Sequence, residues 1–331
     1  MHPFTLSTAK ELDAAAAAHA RDSGVMFIAG GTDLMGLMKD HVVEPAHLLD
    51  INHLPGLNLT EPTSDGGLRI GALTRMSDVA IDMSVRQRAP MISEALLLSA
   101  STQLRNMASM GGNLMQRTRC AYFRDVDGTP CNKRSPGSGC SARHGINRNH
   151  AIFGWSDACV ATHPSDVAVA LSALDCTVRV HSPRGVRAVP IGDFHRLPGT
   201  TPDKDNILGR GDVIIGLEIP FRREARRSHY LKVRDRQSYE FALVSVAAGL
   251  DLDGRTIRSA RLAMGGVAHK PWRLAAAEQA LAGVDLDDPA RLREAIARSF
   301  TDARPLEQNV FKAELAQRAV LRALQTVGER A

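Results

Sequence analysis

The chain has 331 residues, 44% of them hydrophobic, which is enough for two domains of ordinary size. Its 41 basic and 36 acidic residues leave a mild net charge of +5, and aromatic residues are only 4%. No aromatic platform interleaves the arginines, which excludes a nucleic-acid binder, and no run of about 18 apolar residues is present to span a membrane. The first twenty residues lack a basic stretch followed by an apolar one, so no signal peptide is expected. Thiols of a chain folded in a reducing cytoplasm favour metal ligation over disulfides.

Ala, Leu and Val dominate the apolar set, which favours helices packed on sheets. Val25–Ala29 reads as a short buried strand broken by Gly30-Gly31, with Thr32-Asp33 capping a helix through Leu34, Leu37 and Met38. Strands are expected at His47–Ile51 and Leu68–Gly71, with a helix starting at Thr74 or Ser77, and further helices at Pro90–Leu98 and Gln103–Met107. Residues 117–158 have no sustained period and are rich in Gly, Pro, Asn, Ser and Arg; so long an irregular stretch is functional or disordered. Helical spacing returns after Pro164 at Val167, Ala170, Leu171 and Leu174, followed by strands at Cys176–Val180 and Asp212–Pro220 around a polar loop at Pro198–Asp205. Beyond a boundary at Arg222–Ser228 come strands at Tyr230–Val233, Ala242–Leu252 and Arg258–Met264, with a hairpin turn at Asp253-Gly254. Three helices near 271–283, 289–299 and 307–327 complete an α+β unit, and there are no internal repeats.

Ala29-Gly-Gly-Thr-Asp-Leu34 places glycines after a strand and before a helix, where backbone N–H groups approach a phosphate closely. It lacks the spacing of a Rossmann dinucleotide loop, and its plain reading is a tight turn. Ser109-Met-Gly-Gly-Asn113 is a second such segment, expected to offer further N–H donors. Asp166 in Ser165-Asp166 either caps the next helix or accepts hydrogen bonds from a sugar-type hydroxyl. Between these segments lie Cys120, Cys131, Cys140 and Cys159, with no Cys-x-x-Cys pair, so iron–sulfur, zinc and unliganded thiols all stay open. Cys176 reads as a core thiol, and His144, His150 and His163 as solvated loop histidines. The cluster Arg117, Arg119, Arg124, Lys133, Arg134, Arg143 and Arg148 reads as a solvated basic face or a surface for an anionic cofactor or partner. The apolar Ile214-Ile215 run is core, and Lys232 shortly after it is placed to meet an anionic or electron-rich ring.

In order, these segments resemble the FAD-binding subunits of the xanthine dehydrogenase/molybdenum hydroxylase family over essentially the whole chain. The resemblance implies an α+β fold: an FAD-binding domain of the p-cresol methylhydroxylase/vanillyl-alcohol oxidase type at 1–223, with subdomains 1–55 and 56–223 and an iron–sulfur insertion at 115–162. A CO dehydrogenase flavoprotein-like domain would follow at 228–328, with a three-stranded antiparallel sheet plus helices. It implies FAD contacts at Phe27, Ile28, Ala29, Gly30, Gly31, Thr32, Asp33 and Leu34, at Ser109, Met110, Gly111, Gly112 and Asn113, and at Ser165, Asp166, Ile214, Ile215 and Lys232. No catalytic residue is expected on this chain.

Asn113 and Asp166 are close together in simpler members, but here they are 53 residues apart. The inserted stretch resembles that of the bacterial periplasmic aldehyde oxidoreductases, which implies one [4Fe-4S] cluster on Cys120, Cys131, Cys140 and Cys159. The implied assembly is a heterotrimer with a large molybdenum–pterin subunit and a small subunit carrying two [2Fe-2S] clusters. It oxidises an aldehyde to a carboxylic acid and passes electrons through FAD to an external acceptor. Periplasmic location by co-export with a signal-bearing partner is expected, with cytoplasm as the alternative. A 4-hydroxybenzoyl-CoA reductase-like enzyme, a stand-alone flavin oxidoreductase and a zinc-stapled basic binding module are the other readings.

Overall fold

The computed structural model describes residues 1–330. Strands β1 (Thr5–Thr8), β2 (Val25–Ile28) and β3 (His47–Asp50) form a parallel sheet in the order β1-β3-β2. Parallel neighbours need crossovers, and the helices Leu12–Arg21 and Leu34–Lys39 supply them. A small core of Ala15, Val25, Leu49, Leu54 and Leu57 holds this subdomain together.

Strands β4 (Thr60–Pro62), β5 (Leu68–Gly71), β6 (Thr177–Ser182), β7 (Gly185–Pro190) and β8 (Val213–Ile219) form an antiparallel sheet, order β4-β5-β8-β6-β7. Burial alternates strictly along β6, as period-2 side chains require. The helices Met76–Ile81, Pro90–Leu98 and Asp166–Ala173 join Ile70, Val178 and Leu217 in one large core. Every residue of Asp166–Ala173 is buried, because this helix lies between Pro90–Leu98 and the C-terminal sheet. The helix after β5 starts at Met76, not at Thr74 or Ser77. The Thr74 hydroxyl instead donates to the Leu59 carbonyl (3.0 Å), and Arg75 precedes the first turn.

The C-terminal unit contains β9 (Ser228–Val233), β10 (Val244–Asp253), β11 (Thr256–Gly265) and β12 (Trp272–Arg273), antiparallel in the order β12-β11-β10-β9. The sheet therefore has four strands, not the expected three. The fourth is a two-residue strand pairing with Ala263 and Met264, too short to leave a periodic signal. The β10–β11 hairpin turns at Gly254, whose φ of +56° lies in the left-handed region. Helices Ala275–Leu281, Pro289–Ala297 and Phe311–Glu329 follow, and the last buries Ala316, Ala319, Val320, Ala323, Leu324 and Val327 as one stripe against β10 and β9. Among the described residues no helix is long and apolar enough to cross a membrane.

The cysteine-bearing stretch has only short regular pieces, a helix at Ala121–Arg124 and a 3-10 turn at Ser141–Arg143. Its far end is built into the C-terminal core. Ile152 and Phe153 are fully buried there and both donate backbone N–H bonds to the Val267 carbonyl (2.9 and 3.0 Å). Phe153 also stacks on Trp272, ring centroids 5.0 Å apart. Leu324→Ala, in the stripe that covers β10, is expected to lower unfolding free energy by about 2–5 kcal/mol in denaturant titration, as truncation of a fully buried Leu does. A loss below about 1 kcal/mol would show that this helix is not part of the cooperative core.

Candidate functional site

A cleft of about 1040 Å³ opens between the two N-terminal sheets and is roofed by Tyr239, Glu240 and Phe241 of the C-terminal unit. Phe27, Ile28, Ala29, Gly30, Gly31, Thr32, Asp33 and Leu34 line it, as do Ser109, Gly111, Gly112, Asn113, Asp166, Ile214 and Lys232. Three of the expected contacts do not. Met110 is fully buried in the core, Ile215 packs on the first subdomain, and Ser165 caps its helix from behind the cleft.

Gly30 is required by a close approach. A Cβ there would stand 2.0 Å from the Met107 carbonyl oxygen. Gly31 has φ +68° and turns the chain into the helix Leu34–Lys39. An Arg75 fork fixes the two glycine segments relative to each other: one nitrogen donates to Met107 O (2.6 Å), the other to Asn52 Oδ1 (3.0 Å), and Asn52 donates to Ala29 O (2.9 Å). In the first segment the N–H groups of Gly30 to Leu34 have no protein acceptor among the described hydrogen bonds, so they are free for an anion. The second segment differs from expectation. Met110 N donates to Thr74 O, Gly111 N to Ala72 O, Gly112 N to Ser109 Oγ and Asn113 N to Ser109 O, so its backbone donors are already used. It offers the cleft side chains, Ser109 and Asn113, in place of amides.

Asp33 does not cap its helix, because its carboxylate is taken by the inserted stretch. It accepts from Arg117 N (2.8 Å), from Arg124 Nη2 (2.9 Å) and from Arg119. Asp166 is not the cap of its helix either; Ser165 Oγ accepts from Ala168 N (3.0 Å) in that role. Asp166 is buried and accepts from Ser99 (3.0 Å), Tyr230 Oη (2.7 Å) and Lys232 Nζ (2.8 Å). Burial, then the Asp166 charge, push the Tyr230 phenol well above its ordinary pKa, so it stays a donor. Sequence reasoning missed the Asp203–Val213 segment, which forms one wall of the cleft, and the Tyr239–Phe241 roof. The glycine-flanked Arg210 was the available signal: it donates to the Asp22 and Val25 carbonyls and seats that wall on the first subdomain.

The four cysteines meet on a second, much smaller cavity. Cys131 and Cys140 face each other across an isolated bridge, and Cys140 and Cys159 share a hydrogen bond. That bond outweighs burial and draws the Cys140 thiol down to about 6, while the second proton of the pair is held well above the usual range. Burial pushes the Cys120 thiol up to about 11. Backbone N–H groups of Ala142, Arg143 and Val160 face the Cys140 sulfur, and Ala161 faces Cys159. Among the described residues no set of three or more His, Cys, Asp or Glu side chains stands ready to hold a metal ion, although the four thiols are a donor set suited to a soft metal centre.

Two of the three loop histidines are not solvated as expected. His150 is buried with Nε2 3.2 Å from Cys120 Sγ, and His163 has an enclosed Nε2. His144 is exposed, and Cys176 is a fully buried core thiol. The basic residues are mostly tethers, not a solvated face. Arg117 and Lys133 pair with Asp205, and Arg134 donates to the carbonyls of Tyr122, Phe123 and Thr129.

Residues 2–222 match the family described as FAD binding domain in molybdopterin dehydrogenase, and residues 229–327 match the CO dehydrogenase flavoprotein C-terminal domain. The chain belongs to the FAD-binding subunits of the molybdenum hydroxylase family. This is an oxidoreductase family. A curated member, the aldehyde oxidoreductase FAD-binding subunit PaoB of Escherichia coli (strain K12), is 46% identical over 97% of this chain and 96% of that protein. The glyceraldehyde dehydrogenase medium chain of Sulfolobus acidocaldarius is 30% identical over 79% of this chain and 74% of its own. Reconstituted CO dehydrogenase from Oligotropha carboxidovorans covers 99% of both chains with a TM-score of 0.77 at 21% identity, a likeness of fold.

Gly30→Ala is expected to push the two glycine segments apart and leave the purified protein with little FAD; full flavin content by absorbance would contradict the close-approach argument. Lys232→Met strands the buried Asp166 carboxylate and is expected to cost about 3–5 kcal/mol of stability in chemical denaturation.

Proposed function

We propose that this chain is the FAD- and [4Fe-4S]-carrying electron-transfer subunit of a three-subunit molybdenum aldehyde oxidoreductase. The observation that carries the reading is the convergence of Cys120, Cys131, Cys140 and Cys159 on one cavity within a stretch tethered to the cleft. The likeness to PaoB over nearly the whole chain supports the aldehyde oxidoreductase class.

In this reading FAD occupies the cleft. The free amides of Gly30 to Leu34 receive the diphosphate, helped by the Ser109 and Asn113 side chains. Asp166 keeps acceptor capacity for a ribityl or ribose hydroxyl, and Ile214 and Lys232 stand at the ring or its edge. Met110, Ser165 and Ile215 brace these residues from behind. When bound, FAD supplies the junction between two-electron and one-electron chemistry, while the protein binds and orients it. The four thiolates hold the cluster, with backbone N–H groups directed at their sulfurs.

Aldehyde oxidation is assigned to a large partner subunit with the molybdenum–pterin cofactor, and two [2Fe-2S] clusters to a small one. Electrons enter this chain from the small subunit and leave to an external acceptor, so no nucleophile or general acid is assigned here. We place the assembly in the periplasm, exported with a partner that bears the signal; the partner's N-terminal sequence tests this, and a partner without a signal leaves the assembly in the cytoplasm.

Protein purified anaerobically is expected to show a flavin spectrum over broad iron–sulfur absorption, with about four irons per chain as one such cluster requires. Cys131→Ser is expected to lose most of that iron. A flavin-replete, iron-free protein, or one carrying zinc, would overturn the cluster assignment while leaving the flavin assignment intact.

A further inference from the structure

Among the described residues, Lys133 is the only positively or negatively charged side chain, apart from the cysteines themselves, that lines the small cavity. Its side chain is 2% exposed. The ammonium group donates to Pro202 O (2.6 Å) and to Asp205, and its charge also acts on the Cys159 thiol. Asp205 does not line the cysteine cavity; it lines the large cleft, where Arg117 Nε also donates to it (2.7 Å). Lys133 in turn does not line the cleft. The two separate cavities are thus joined by one ion pair with a foot in each, and burial of the carboxylate is outweighed by Lys133 and Arg117, which hold it ionised below the usual carboxylate range.

We infer that the Lys133–Asp205 pair electrostatically couples the two redox sites, so that the midpoint potential of each depends on a charge located at the other. This rests on the reading of the cleft as the FAD site and of the cysteines as the cluster site. Gaining an electron makes a site more negative. A fixed cation nearby stabilises the reduced state and an anion destabilises it, and enclosure keeps solvent from screening either effect. Cluster potentials respond strongly to local charge and exposure. Lys133 and Asp205 are positioning residues in this scheme: neither donates nor accepts an electron.

The test is a spectroelectrochemical titration of the intact assembly at fixed pH, reading flavin and iron midpoints separately. Lys133→Gln is expected to lower both midpoints, the flavin's included although Lys133 does not reach the cleft. Asp205→Asn is expected to raise both, the cluster's included although Asp205 does not reach the cysteines. The double variant should return both towards the wild-type values, and Lys133→Arg should leave them in place. Shifts of opposite sign that cancel do not arise from loosened packing. An unchanged flavin midpoint in Lys133→Gln, or an unchanged cluster midpoint in Asp205→Asn, overturns the coupling. If one variant loses a cofactor, the cross-site reading in the other decides. Wild-type protein without iron would instead overturn the reading of the cysteines.

Discussion

An irregular stretch of chain has no ladder or helix to hold it, yet ordering each residue costs about 1–2 kcal/mol of backbone entropy. Here the cysteine-bearing stretch is held against the cleft by two carboxylates. Asp33 takes Arg119, Arg124 and the Arg117 N–H, and Asp205 takes the Arg117 guanidinium and Lys133. Exposed ion pairs contribute little, but these are largely enclosed, with Asp33 only 16% exposed and Lys133 2%. Each carboxylate also belongs to a wall of the cleft, so the segment that gathers the thiols and the surface that faces the cofactor are the same piece of structure.

The elements that depend on local pattern were readable. Glycines after Val25–Ile28, the alternation of β6 and the apolar stripe of Phe311–Glu329 all follow from spacing within a few residues. What escaped depends on partners far away in sequence. Arg117 and Asp205 are 88 residues apart, and nothing near either says that they meet. Asp33 sits where a helix cap belongs, and only the arrival of three donors from residues 117–124 takes it away from that role. The same holds for the second glycine segment: Gly111-Gly112 has the composition of an anion loop, but Thr74 and Ala72 lie close enough to accept from the Met110 and Gly111 amides.

The seam between the larger and smaller domains, otherwise largely apolar, holds one buried polar cluster. Asp166 from one side meets Tyr230 and Lys232 from the other, with Ser99 completing the set. Apolar residues there would pack as well, but they would accept many relative orientations. A buried carboxylate with three directed donors accepts very few, since any displacement leaves a charge unpaired. The wall of the cleft that carries Asp166 is therefore kept in register with β9, which carries Lys232.

Ile152 and Phe153 find their packing partners only in residues that are made much later, from Val244 to Val327. During synthesis the four thiols emerge while the surface that closes over the end of their segment does not yet exist. The far end of the cysteine-bearing stretch is therefore locked in place only once the C-terminal third has been translated and folded.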